Sequence, residues 1–199
     1  MLVPDEEYER AVFAEVNFEP SFAGNCHFIE CAFDHSTFVE NGLRKSRFTD
    51  SELRETRFVA TDLAETGWQD TSLTGCALSG VQLFSAALRR VVFRDCKLDS
   101  VNFRDATLID VTFDNCLARD VDFGTARLTR VTFDGCTLTR ADFTKATMKQ
   151  VDLRGAALDI TAGYEALSGA TIDNLQLIAL APRMAQHLGI TVEERSRPG

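Results

Sequence analysis

The chain has 199 residues, 45% apolar and 26% charged, with 21 Lys and Arg against 30 Asp and Glu. A formal charge of −9 excludes a general nucleic-acid binder, which needs a basic footprint, and no apolar run approaches the roughly 18 residues of a membrane span. The opening MLVPDEEYER has neither the basic nor the apolar segment of a secretory signal, so a soluble cytoplasmic protein is expected, with 1–10 as a capping segment.

From Phe13 to Leu158 every fifth residue is large and apolar at twenty-eight of thirty positions, and the register never slips. A second rail lies two residues before each of these, from Ala11 to Ala156, and is built of Ala, Val, Ser, Thr and Cys except at Asn41. The other three residues of each unit are mostly polar. Five is neither the 3.6 of a helix nor the 2.0 of a strand. Each unit therefore points one large and one small side chain inward and then turns a corner. A single unit cannot bury that pair, so successive turns must stack into a solenoid paired at about 4.8 Å.

The units VTFDN (from Val111), VTFDG (from Val131), ADFTK (from Ala141) and VDLRG (from Val151) resemble pentapeptide repeats, whose consensus is close to A-(D/N)-L-x-x. The resemblance covers 11–160. It implies an all-β solenoid: a right-handed quadrilateral β-helix with four units per coil. Thirty units then give about seven and a half coils, a rod about 36 Å long at the sheet spacing.

Two units depart from the pattern. In SFAGN and CLARD the large residue, Phe22 or Leu117, precedes an Ala at the inward position. A local bulge that turns it inward is one reading; an exposed side chain beside a small core gap is the other.

All six cysteines, Cys26, Cys31, Cys76, Cys96, Cys116 and Cys136, fall on the small inward rail, where a reduced thiol packs as a small hydrophobe. The run Cys26, His27, Cys31, His35 has the residue types of a zinc site. The repeat, however, points the cysteines in and the histidines out, so no metal is expected. No nucleophile–base pair or phosphate loop stands out, and a convex rod lacks a catalytic pocket. Neither an enzyme nor a cofactor is expected.

After Leu158 the period dissolves and 161–192 reads as a helical cap. Thr171 or Asp173 caps a first helix through Leu175, Ile178 and Ala179. Pro182 ends or kinks it and starts a second helix carrying Met184, Ala185 and Leu188, which Gly189 stops. The apolar set Leu175, Leu177, Ile178, Leu180, Met184 and Leu188 serves a cap alone or a cap that also dimerises. The tail 193–199 is expected to be disordered.

Charge is uneven. Residues 1–75 carry 15 acids and 6 bases, whereas 76–160 carry 11 and 12. Taking every fourth unit, one face gathers Glu15, Asp34, Glu52, Glu55, Asp95, Asp114, Asp134 and Asp152 against Arg54, Arg94 and Arg154. A second face is basic through Arg89, Arg90, Arg127, Arg130 and Lys149. The overall acidity, the unbroken repeat and the apolar tail are similar to the Mfp type of quinolone-resistance protein. The Qnr type, with loops interrupting its repeat, fits less well. That resemblance implies a dimeric DNA mimic, joined through its C-terminal helices, that binds DNA gyrase or topoisomerase IV. On this reading the acidic face touches the enzyme and nothing binds nucleic acid or membrane directly. An interaction scaffold for another partner is the alternative.

Overall fold

A five-residue unit turns a right-angled corner only if one of its residues leaves the extended region. In the computed structural model, which describes residues 2–193, every fifth residue from Asp5 to Gly155 takes that role. Pro20 alone is excepted; the others have φ between 46° and 78°. Three-residue strands such as Ala32–Asp34 and Thr37–Val39 fill the stretches between corners. Four units close one coil, so residue i lies beside residue i+20, as in Phe13 beside Phe33.

The coils stack into three all-parallel sheets of eight, nine and eight strands. Face A is centred on Tyr8, Phe28, Phe48 and their successors, face B on Phe13, Phe33 and Leu53, and face C on Phe18, Phe38 and Phe58. The fourth side, face D, is held by single bridges from Phe22–Gly42 through Asp122–Asp142. The result is a four-sided parallel β-solenoid. Its first strand, Glu7–Glu9, pairs with His27–Ile29, and Asp5 N–H donates to Gly24 O. The coil thus begins within 1–10.

Inside, the large residues stack in ladders. Phe13 lies on Phe33 with ring centroids 4.8 Å apart, Phe38 on Phe58 at 4.8 Å, and Phe103 on Phe123 at 5.1 Å. The small rail fills the corners. Its hydroxyls and thiols donate to the carbonyl 23 residues earlier: Thr71 to Phe48 O, Cys96 to Leu73 O, Cys136 to Phe113 O. Buried polar groups on the rail are therefore partnered, apart from Asn41 Oδ1. Asn41 sits beside the Pro20 corner, its Nδ2 donating to Glu19 O at 2.7 Å.

No bulge forms at either departing unit. Phe22 is 89% exposed and Leu117 53%, while Ala23 and Ala118 are buried in their places. The pairing continues in step, Leu117 beside Lys97 and Ala118 beside Leu98. Slipping one residue would exchange inward and outward side chains along the strand and break the ladder to both neighbouring coils, so the small core gap prevails. Phe22 covers the neighbouring coil at Gly42, where a Cβ would lie 2.7 Å from its Cδ1.

At the C-terminal end the strand Ala157–Ala162, a 3-10 turn Tyr164–Leu167 and the strand Ala170–Thr171, which extends face B, lead into one helix, α1, Asn174–His187. The expected break at Pro182 does not occur. Proline removes one N–H whose acceptor lies a turn earlier, at Ile178; the chain there is exposed, so water can take the freed carbonyl's place. Asp173 caps α1 in a reciprocal box with Gln176. Gly189, φ 70°, ends it, with Ile190 N–H donating to Ala185 O, the pattern of a left-handed cap. Residue 193 is the last described one, and the rest of the tail expected to be disordered lies outside the described residues.

Candidate interaction surface

Face B carries the predicted acidic residues because its outward positions alternate with the inward Phe and Leu. The parallel register sets equivalent side chains about 4.8 Å apart from coil to coil. Asp114 lies directly beside Asp134. Part of the charge is compensated: Arg94 Nε donates to Asp114 at 3.0 Å, Arg154 Nη2 to Asp152 at 2.6 Å and Arg54 Nη2 to Glu52 at 2.5 Å. Asp95 accepts from Asn115 Nδ2 at 2.5 Å. Among the described residues Glu15, Asp95 and Asp134 have no basic partner. Arg154 beside Asp152 holds that carboxyl below its ordinary range.

At the N-terminal end of this face His35 bridges two carboxylates, Asp34 at 2.9 Å from Nδ1 and Glu55 at 3.0 Å from Nε2. The bond to Asp34, then the charge of Glu55, raises its pKa above the ordinary histidine value. His27 lies 4.0 Å from Glu7 on face A, and Cys26 and Cys31 donate inward to Val3 O and Tyr8 O. The four residues of the zinc-like run thus point apart. All six thiols are buried and free.

The basic face is partly spent within itself. Arg90 is held by Asp70 at 2.5 and 2.6 Å, and Arg130 by Asp110 at 2.5 and 2.8 Å. Each pair raises the arginine's pKa and lowers its aspartate's. Arg89, Arg127 and Lys149 remain without an acidic partner among the described residues. These pairs were not singled out in the sequence, although a search for opposite charges twenty apart finds them, together with Arg119–Asp99 and Arg140–Asp120.

The apolar set of α1 divides in two. Leu180 is buried on the last coil and Met184 packs partly against it, whereas Leu175, Leu177, Ile178 and Leu188 face solvent. No helix among the described residues is long and apolar enough to cross a membrane.

A solenoid that turns once per four five-residue units, with a small and a large inward residue in each, defines the class. The chain belongs to the pentapeptide repeat family, whose repeat region matches residues 21–92, 66–143 and 86–162. Among curated proteins the chain has no match. Similar solved structures include a trypsin-treated QnrB1, a plasmid-mediated fluoroquinolone resistance protein, at 15% identity over 94% of this chain and 100% of that one, TM-score 0.39. HetL, involved in heterocyst differentiation regulation in the cyanobacterium Nostoc sp. strain PCC 7120, is 17% identical over 84% of this chain and 91% of that one, TM-score 0.34. Rfr23 of the cyanobacterium Cyanothece 51142 is 12% identical over 77% and 91%, TM-score 0.26.

Proposed function

We propose that the protein is a non-enzymatic binding rod of the cytoplasm whose face B docks on a basic, DNA-binding surface of a protein partner. The partner that the Mfp-type sequence resemblance implies is a type II topoisomerase, DNA gyrase, inhibited or shielded from quinolones by a DNA mimic. The observation that supports the reading is the register of carboxylates on one side: Asp114, paired with Arg94, lies beside Asp134, and Asp134, Asp95 and Glu15 have no basic partner among the described residues. Duplex DNA carries about one charge per 1.7 Å; face B carries about one net charge per 7 Å at the sheet spacing. Attachment is therefore electrostatic and sensitive to salt.

The exposed Leu175 and Ile178 of α1, with Leu188 at its C-cap, support a homodimer joined through this helix, which would double the length of the rod. The test is a gyrase supercoiling assay with and without a quinolone. The protein should inhibit supercoiling or relieve the drug's poisoning, and Asp114→Lys with Asp134→Lys should abolish the effect. Unchanged activity in the reversed variant excludes face B. Light scattering showing only a 22.0 kDa particle excludes the dimer. An interaction scaffold for another partner is the alternative, engaged through the basic face of Arg89, Arg90, Arg127 and Arg130, of which Arg90 and Arg130 are paired with Asp70 and Asp110.

A further inference from the structure

The two ends of the rod are built differently. Gln176 and Leu180 of α1 close the C-terminal end, whereas at the N-terminal end Leu2 is buried in the core but, among the described residues, no strand pairs with the first coil from outside. Its strands Glu7–Glu9, Val12–Ala14 and Asn17–Phe18 each stand at the outer edge of a sheet. One coil further in, Ala32 N–H donates to Ala11 O and Asp34 O accepts from Glu15 N–H. The equivalent groups one coil earlier, Val12 N–H and Ala14 C=O, meet no strand among the described residues. Tyr8 and Phe13, which belong to the inward series, are only half-buried at this end, and Val12 is 72% exposed.

Proteins blunt open strand edges with charge, proline or a covering element. Here Glu7 and Glu9 flank the edge on face A and Pro20 follows the edge on face C, but Val12–Ala14 on face B carries no charge of its own. Residues 1–20 hold six acids and one base, and that base, Arg10, is occupied by Glu9 at 2.8 Å and Glu30 at 3.0 Å. The rim around the uncharged edge is therefore strongly acidic. A second copy of this chain meets the same rim, and like charges oppose that pairing. We infer that the edge strand Val12–Ala14 accepts an extended peptide segment from a partner protein, one whose central aromatic residue continues the Phe13–Phe33 stack and whose flanking Lys or Arg residues meet Glu9 and Glu15. Main-chain hydrogen bonds supply affinity and the aromatic and charged positions supply specificity, as in strand addition generally. This surface is separate from the Asp114–Asp134 region, so the inference does not depend on the function proposed above.

The test uses the full chain and a fluorescein-labelled peptide, Lys-Arg-Thr-Phe-Thr-Arg-Lys, read by fluorescence anisotropy. Saturable binding is expected, weakened about tenfold by salt that screens the rim and absent for Glu-Asp-Thr-Phe-Thr-Asp-Glu and for Lys-Arg-Thr-Pro-Thr-Arg-Lys. Val12→Pro removes only an outward N–H, a position where sheets tolerate proline, and should abolish binding. Should that variant melt early, Glu9→Lys with Glu15→Lys tests the same site without touching the backbone. The inference is overturned if the charge-reversed or proline peptide binds equally, if no peptide saturates, or if either variant binds as the parent does. It is also overturned if Asp114→Lys with Asp134→Lys removes peptide binding, which would place the peptide on face B proper. A particle of twice the mass that Val12→Pro returns to monomer overturns it too, assigning the edge to a second copy.

Discussion

Gln176 Nε2 donates to Leu153 O at 2.5 Å, across the 23-residue offset by which Cys136 reaches Phe113 O, Cys116 reaches Phe93 O and Cys96 reaches Leu73 O. The first turn of α1 thus occupies the next step of the corner column Ser36, Thr56, Cys76, Cys96, Cys116, Cys136 and Ala156. Nε2 also donates to Ala156 O at 2.7 Å, and Oε1 accepts from Asp173 N–H at 2.8 Å. One amide joins helix cap to solenoid. Gln176→Leu leaves two buried carbonyls and one N–H unmet and should cost about 1–3 kcal/mol. Thermal unfolding followed by far-UV circular dichroism should show the helical signal lost before the sheet signal.

The corners hold residues that resist the left-handed conformation. Ala60 has φ 48°, which costs an L-residue about 1–2 kcal/mol except where Asn or Gly stands. Ala60→Asn should stabilise the protein by about 0.5–1 kcal/mol, and Ala60→Val, a β-branched residue at the same φ, should destabilise it by about as much or more. Denaturant midpoints of the two variants should move in opposite directions.

Two left-handed glycines of the cap differ in what surrounds them. A Cβ on Gly163 would lie 2.1 Å from the Phe143 carbonyl carbon, whereas one on Gly189 meets nothing within 4 Å. Gly163→Ala forces the backbone of the neighbouring coil apart and should cost about 3 kcal/mol or more. Gly189→Ala should cost only the conformational penalty, about 1 kcal/mol.

Six thiols buried inside the solenoid should be inert. Burial pushes Cys26 and Cys31 above the ordinary thiol range, and the bond with Cys116, then burial, does the same for Cys136, whereas the bond with Cys96 draws Cys76 down, so that its inertness rests on being buried from the reagent. Reaction with a chromogenic disulfide reagent should be slow in the native state and reach six equivalents only on unfolding, since a thiolate is the reactive form. A rapidly titrating thiol in the folded chain would contradict the packing.

Between Asp34 and Glu55, His35 is bound in its protonated form, and its pKa is raised. The sign follows from linkage: the stability it contributes is complete below the unfolded value of about 6.5 and is lost as pH rises through the higher folded value. His35→Gln should flatten the dependence of stability on pH in that window. A proton NMR titration of His35 should give a midpoint above the ordinary histidine value of about 6.5.

The sequence by itself determined the interior. A large residue every fifth position and a small one two before it can be buried only by stacking turns, so the solenoid, its inward side chains and the role of the cysteines were legible in one dimension, and the division of charge between faces became so once the resemblance to pentapeptide repeats implied four units per coil. The N-cap, narrowed to Thr171 or Asp173, and the stop at Gly189 were legible too, because capping chemistry is local; the structure chose Asp173. Only the tertiary structure decided the rest. Whether Phe22 and Leu117 turned inward depended on hydrogen bonds to coils twenty residues away on both sides, which hold the register against a single unfavourable side chain. Pro182 could remain within α1 because the helix is anchored by Gln176 and Leu180 and its outer face is wet. Arg90 and Arg130 proved to be spoken for because their partners, Asp70 and Asp110, lie one coil below, a neighbourhood that exists only after the chain has wound once around.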